Sequence, residues 1–371
     1  VHGPYVSAVT ETEATIRWDS EVEGCTEAVA LLPDGDRAFS GTAERFVLTT
    51  DYGSSIGLEQ PDQPGPIFMH TVRLTGLPKS TCLPYTITTE KEVSVHRLCT
   101  ARGENETIRI TAIGDTNPTL GYTALLLNQM SGVKPDFVLH LGDMQYYSSV
   151  AESWQAWTRL MQPLFNIGAV YPTRGNHEKE KEAPAEYDDY YSRLFHAPGT
   201  DGETRWYTFS SAGVHFFSLS TEDEIAVGTP QYTWLTGALK AAKSSPGFRF
   251  SLVFFHRPIY SLGDVADEAA IRSTLEPLFS ENGVKVVLSG HMHGYERFDI
   301  NGTLALVSGG GGGIIGDVNA HLVDRPELAA KRQKAAAAYN FLDLVIEPGL
   351  IRGQALGTDG RPIDSFEWSV P

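Results

Sequence analysis

The sequence predicts an all-β sandwich followed by a layered α/β domain, on two observations. Up to about residue 104, short runs of alternating apolar and polar residues are separated by Gly, Pro, Asp and Ser. Beyond that point strand-like runs alternate with helical ones, the pattern of a sheet covered by helices. Gly103-Glu104-Asn105-Glu106 is the expected linker, dividing residues 1–104 from 105–371.

In the first part, strands are expected at residues 5–9, 14–18, 27–32, 45–50, 68–74, 83–89 and 93–98. The last two flank the polar turn Glu90-Lys91-Glu92, and a hairpin there would set Cys82 close to Cys99. A disulfide in an oxidising compartment is one reading; three small buried hydrophobes is the other. Cys25 would be the leftover thiol.

In the second part, strands at 108–113, 137–141, 214–219, 249–255 and 285–288 alternate with helices at 123–130, 153–164, 231–243 and 269–279. A short strand at 304–307 leads into five consecutive glycines, Gly309 to Gly313, which lack the Lys-Ser/Thr and the helix of a phosphate-binding loop and read as a close-packed turn. Residues 341–346 and 350–356 surround Glu347-Pro348-Gly349 as a hairpin.

Composition bounds function without choosing it. A chain of 371 residues, 41% hydrophobic and 10% aromatic, can build the cores of two or three domains. No apolar run approaches the roughly 20 residues that cross a bilayer. A net charge of -17 with no basic block argues against nucleic acid as a partner. The start at Val1 leaves open a leader removed in processing or cloning.

Five short segments carry the chemistry: Gly114-Asp115, Gly142-Asp143-Met144-Gln145-Tyr146, Gly175-Asn176-His177-Glu178, Val253-Phe254-Phe255-His256 and Gly290-His291-Met292-His293. Each closes an apolar run or opens a loop, at the carboxyl edge where open α/β sheets place their sites. An aspartate after a strand is more often a turn residue than a ligand, and a lone His-x-His is as often chance. Five ligand-competent segments in one chain change those odds. Other histidines take plainer readings: His140 and His215 as packed groups, with no partner evident for His196 or His321. Trp154 and Trp157 read as core.

These segments resemble the five-motif series of the calcineurin-like metallophosphoesterases, specifically the purple acid phosphatase branch, over residues from about 107 to 371. The resemblance implies a four-layer α-β-β-α metallophosphoesterase sandwich behind a β-sandwich. The stretch from His70 to Pro78, with Tyr85, is similar to the corner of fibronectin type III-like domains, Tyr85 bonding back to the chain. It further implies two metal ions bridged by Asp143. Asp115, Tyr146 and His293 would complete one site, suited by its phenolate to Fe(III); Asn176, His256 and His291 would complete the other, for a divalent zinc, iron or manganese.

The implied activity is hydrolysis of small phosphate monoesters by a metal-bridging hydroxide, outside the cell or in the periplasm. A phosphodiesterase on the same metals is the alternative, and a binding module with vestigial catalysis a third reading. His177 is the expected hydrogen-bond donor to phosphate or proton donor to the leaving group, with bracing of Asn176 as the plainer role. Asn176, Arg257 and Tyr260 complete the expected substrate contacts. Two departures stand out: Gly114-Asp115-Thr116-Asn117 lacks the usual second glycine, and the loop after His256 holds no histidine. Asp264 and Asp267 are expected to make the entrance acidic. The oligomeric state is not legible.

Overall fold

The structure is a computed structural model describing residues 2–46, 67–89, 93–118, 120–144, 146, 155–178, 191–192, 194–195, 205–265 and 267–371. Its first part contains strands β1 (His2–Ser7), β2 (Ala14–Ser20), β3 (Glu27–Ala30), β4 (Arg37–Ser40), β5 (Thr42–Phe46), β6 (Ile67–Leu74), β7 (Cys82–Thr88) and β8 (Val93–Cys99). They form two four-stranded sheets, ordered β1-β2-β6-β5 and β4-β3-β7-β8. Strand β4, largely exposed, lacks the alternation that would reveal it. The strand expected at 45–50 begins earlier, and residues 47–50 lie outside the described residues.

Cys82 and Cys99 face each other across β7 and β8 and form a disulfide, while Cys25 is exposed and free. The expected tyrosine corner is not made. Tyr85 is fully buried, but its hydroxyl has no hydrogen-bond partner among the described residues.

The second part is four-layered. A six-stranded sheet, β11-β10-β9-β19-β20-β21, holds β9 (Ile108–Ile113), β10 (Phe137–His140), β11 (Ala169–Pro172), β19 (Phe341–Glu347), β20 (Leu350–Leu356) and β21 (Pro362–Ser369). A seven-stranded sheet, β12-β13-β14-β15-β17-β16-β18, holds β12 (Tyr207–Ser211), β13 (Val214–Ser218), β14 (Phe250–Phe255), β15 (Val284–Ser289), β16 (Tyr295–Ile300), β17 (Thr303–Ser308) and β18 (Arg332–Ala336).

Alternation explains the layering. Phe250, Leu252 and Phe254 of β14 join Ile108, Ile110 and Ala112 of β9 in one core between the sheets, while Val253 and Phe255 turn to the opposite face. There they meet helices α3 (Pro230–Lys243) and α4 (Ala269–Glu281), through Leu235, Leu239, Leu275 and Phe279. Helices α1 (Tyr122–Val133) and α2 (Gln155–Phe165) cover the other sheet, Leu126, Met130 and Trp157 packing with Ile113 and Val138. Residues 153 and 154, expected in α2, lie outside the described residues.

The first part is docked directly on the second. The Tyr5 and Phe165 rings meet edge to face at 4.7 Å, Gln162 donates to the Gly3 carbonyl at 2.9 Å, and Arg97 donates to the Ile167 carbonyl at 2.6 Å. Strands β9, β10 and β11 run parallel, as do β13, β14, β15 and β17. Their carboxyl ends deliver the five motif segments to one edge of the two sheets.

Candidate metal centre

Each motif leaves its strand through a tight turn. Asp115, Asp143 and His291 all take left-handed backbone conformations, with φ of 62°, 50° and 67°. Such non-glycine residues are uncommon and persist where surrounding structure over-determines them. The determinants are visible. Asp115 N–H donates to the Gly142 carbonyl at 2.9 Å, and Asp115 Oδ2 accepts the His291 N–H at 2.8 Å. Gly175 packs so closely on Asp143 that a Cβ there would lie 2.1 Å from Oδ1. The glycine run is a close-packed turn: a Cβ on Gly313 would lie 2.5 Å from the His293 ring.

The seven expected ligands converge. Asp115, Asp143, His256 and His291 place ligand atoms within 4.8 Å of one another. On one side, Tyr146 Oη lies 3.4 Å from Asp115 Oδ1 and 2.9 Å from His293 Nε2, and His293 Nε2 lies 3.3 Å from Asp115 Oδ1. On the other, His256 Nε2 lies 3.1 Å from Asn176 Oδ1, with the His256 and His291 rings 4.7 Å apart. Asp143 Oδ2 is 3.3 Å from His256 Nε2.

The electrostatics describe a place for positive charge. Burial opposes ionisation of Asp143, but the charge and hydrogen bond of His256 outweigh it and hold its carboxyl below the usual range. Burial likewise opposes the charge on His256, yet Asp143 and Asp115 raise it to about 10. For His293, burial is overcome by Asp115, giving about 9. His291 is pushed down to about 2 by burial and by the positive charges of His256 and Arg257. Asp115 and Asp143 pair with no Lys or Arg at ion-pair distance among the described residues; their near neighbours are the His293 and His256 imidazoles. Oxygen and imidazole donors around two buried carboxylates fit hard or borderline cations. Asp115, Asp143, His256 and His291 could therefore hold metal.

The predicted substrate contacts divide. His177 donates its backbone N–H to Asp143 Oδ1 at 3.0 Å, sets its ring 4.4 Å from that of Tyr146, and keeps its side chain 25% exposed beside the centre. Arg257 donates Nη1 to His291 Nε2 at 3.1 Å and Nε to Glu222 at 2.6 Å. Tyr260 is placed apart from the seven: its hydroxyl donates to Glu276 at 3.2 Å, and it lines a separate cavity that includes none of them. Burial and the Glu276 charge hold its phenol above the usual range. Asp267 is a correction: its side chain is fully buried and paired with Arg272 and Arg325, whereas Asp264 is exposed.

His140 is packed as expected, its Nε2 3.0 Å from the Thr116 hydroxyl, and burial pushes it down to about 3. His215 is only half-buried and meets the Ser245 hydroxyl at 2.9 Å, so it is not core. His321 pairs with Asp324 at 3.6 Å; Trp157 is fully buried. His196 and Trp154 lie outside the described residues.

Sequence reasoning missed two buried acids. Glu178 accepts the N–H groups of Asp143, Met144 and Gly175 at 2.9, 2.8 and 2.7 Å; burial and the Asp143 charge raise it to about 8 against those bonds. Glu296 accepts from the Ser261 hydroxyl at 2.7 Å and the Leu262 N–H at 3.1 Å, fastening the segment after His256. An acid closing Gly-Asn-His was the available signal for Glu178, since turn N–H groups need an acceptor.

Compared with family profiles, residues 108–295 match the calcineurin-like phosphoesterases, which is half of the chain. The chain belongs to that family. Among curated relatives, the probable inactive purple acid phosphatase 9 of Arabidopsis thaliana is 30% identical over 196 residues, covering 44% of this chain and 30% of that protein. Purple acid phosphatase 18 of the same plant is 29% identical over 201 residues, covering 51% and 44%. The chain thus spans less than half the length of these two relatives. A purple acid phosphatase from yellow lupin (Lupinus luteus) superimposes with a TM-score of 0.80 at 19% identity, over 99% of this chain and 74% of that one. The fold is therefore the mixed α/β metallophosphoesterase fold of a purple acid phosphatase, with additional all-β sheets at the amino-terminal end.

Proposed function

We propose that the chain is a dinuclear metal hydrolase of small phosphate monoesters. The observation that carries this reading is Asp143, buried between the Asp115-Tyr146-His293 and Asn176-His256-His291 groups and positioned to serve both. On this reading Tyr146 favours Fe(III) in the first group, and neutral imidazole and amide donors suit zinc, iron or manganese in the second. When bound, such ions polarise phosphoryl oxygens and make a nucleophile available at neutral or acidic pH.

The chain's own residues supply the rest. His177, partly exposed beside Asp143, donates a hydrogen bond to the phosphate or a proton to the leaving group. Asn176 orients the same face. Arg257, restrained by Glu222, presents a cation beside His291 and attracts the oxyanion. Residues 1–104 are read as a fibronectin type III-like module and 105–371 as the catalytic unit. The Cys82–Cys99 disulfide supports a secreted or periplasmic setting, and no helix of the described residues is long and apolar enough to cross a membrane.

Phosphodiester hydrolysis on the same metals is the second reading, favoured by the loop after His256, which holds no histidine, with the Tyr260 hydroxyl bonded to Glu276. Hydrolysis of an aryl phosphomonoester beside the matching diester, from acidic to alkaline pH, separates the two. Monoester preference with an acidic optimum supports the proposal; diester preference overturns it in favour of the alternative.

A further inference from the structure

A second cavity of about 580 Å³ opens beside the segment that follows His256. Arg272 of α4 and Arg325 line it, and both donate Nη1 to the buried carboxylate of Asp267. Asp267 neutralises one guanidinium and orients two. Their side chains stay 29% and 30% exposed, and their Nε and Nη2 donors bond to no protein group among the described residues. Lys331 adds another cation to the lining. Against these stand Glu276, which takes the Tyr260 hydroxyl, and the exposed Asp324 and Glu327, so with Asp267 the lining holds four carboxylates to three cations and anion binding rests on the two oriented guanidiniums rather than on net charge.

We propose that this cavity is a second oxyanion site, in which Arg272, Arg325 and Lys331 take a small phosphate or carboxylate group. Guanidinium forks held by a buried acid are preorganised for planar or tetrahedral oxyanions, so little side-chain freedom is lost on binding. The site also touches the candidate centre through the chain. Arg272 Nη1 donates to the Ile259 carbonyl at 3.2 Å, and Glu268 N–H donates to the Pro258 carbonyl at 2.9 Å. An anion here therefore bears on the segment that carries Arg257, independently of what the metal ligands do.

Isothermal titration calorimetry of inorganic phosphate into the metal-replete full chain tests the proposal. Two classes of site are expected. Asp143→Asn removes one; Lys331→Met weakens the other by about fivefold, the scale of a partly exposed charge contact, and leaves the first intact. Arg325→Lys, which keeps a cation on Asp267 but loses the fork, weakens the second class as well. A single class abolished by Asp143→Asn overturns the proposal, as does a second class indifferent to both Lys331→Met and Arg325→Lys. Failure of the metal reading would look different: unchanged metal content in Asp143→Asn.

Discussion

The buried Glu178 carboxylate accepts the backbone N–H of Asp143 at 2.9 Å, supporting from behind an aspartate held at φ 50°. A left-handed aspartate needs such support, because its conformation costs of the order of 1–3 kcal/mol and the turn would otherwise relax. Glu178 therefore acts through Asp143 and never needs to meet substrate.

Glu178→Gln keeps the shape but replaces one of the two acceptor oxygens, which between them take the N–H groups of Asp143, Gly175 and Met144, with an amide NH2 that cannot accept. Metal affinity should fall by roughly 10–100-fold, as for other groups that hold ligands in place. Metal content after dialysis against a weak chelator checks this, and excess metal should restore turnover. Loss of turnover with full metal occupancy would give Glu178 a different role.

Tyr146→Phe removes the phenol that lies 3.4 Å from Asp115 and 2.9 Å from His293. Any visible absorption of the iron-loaded protein should disappear, while the ion in the Asn176-His256-His291 group stays bound. Absorption spectra paired with metal analysis decide it.

On the proposed metal reading, chelation should lower the melting temperature, because the motif segments converge only in the folded chain. At free metal a hundredfold above Kd, the stabilisation lost is about 2.7 kcal/mol per site.

The metal-free protein should be most stable near pH 6.5. His256 and His293 are raised to about 10 and about 9, so the folded state holds protons that the unfolded chain releases above pH 6.5. Their stabilisation is complete below 6.5 and is lost as pH rises through 9 to 10. His291, lowered to about 2, acts in the opposite direction, and stability falls as pH drops below 6.5. Denaturant titrations of chelated protein across pH 5–9 should show the maximum; metal-loaded protein should lose the alkaline decline and fall more steeply below pH 6.5, because metal holds its imidazoles unprotonated.

Cys82→Ser with Cys99→Ser should cost about 3 kcal/mol, the scale for closing a loop of this size, with the residues 17 apart in sequence. Because the bond lies beside Asp136, at the amino end of β10 and away from the carboxyl edge that carries the motif segments, turnover per folded molecule should not change.

Much of this architecture was legible because a continuous apolar run marks a strand buried on both faces, as in Phe250–Phe255, and alternation marks one buried mainly on one face, as in Leu350–Leu356. The missed strands had other reasons for silence. Pro362–Ser369 is an edge strand rich in polar residues, and Tyr295–Ile300 carries Glu296 and Arg297 because each has a partner, Ser261 and Asp364 respectively. Convergence of the seven residues could be expected from motif order, but not the direction of Tyr260, whose hydroxyl is claimed by a glutamate one helix away. Nor could spacing reveal that Asp267 is buried between two arginines, since Arg325 lies 58 residues on.

Asp143→Asn tests the central claim most directly. The account predicts that both groups lose metal and that phosphomonoester turnover collapses in a protein that still folds. A variant that keeps full metal content and full turnover would contradict it.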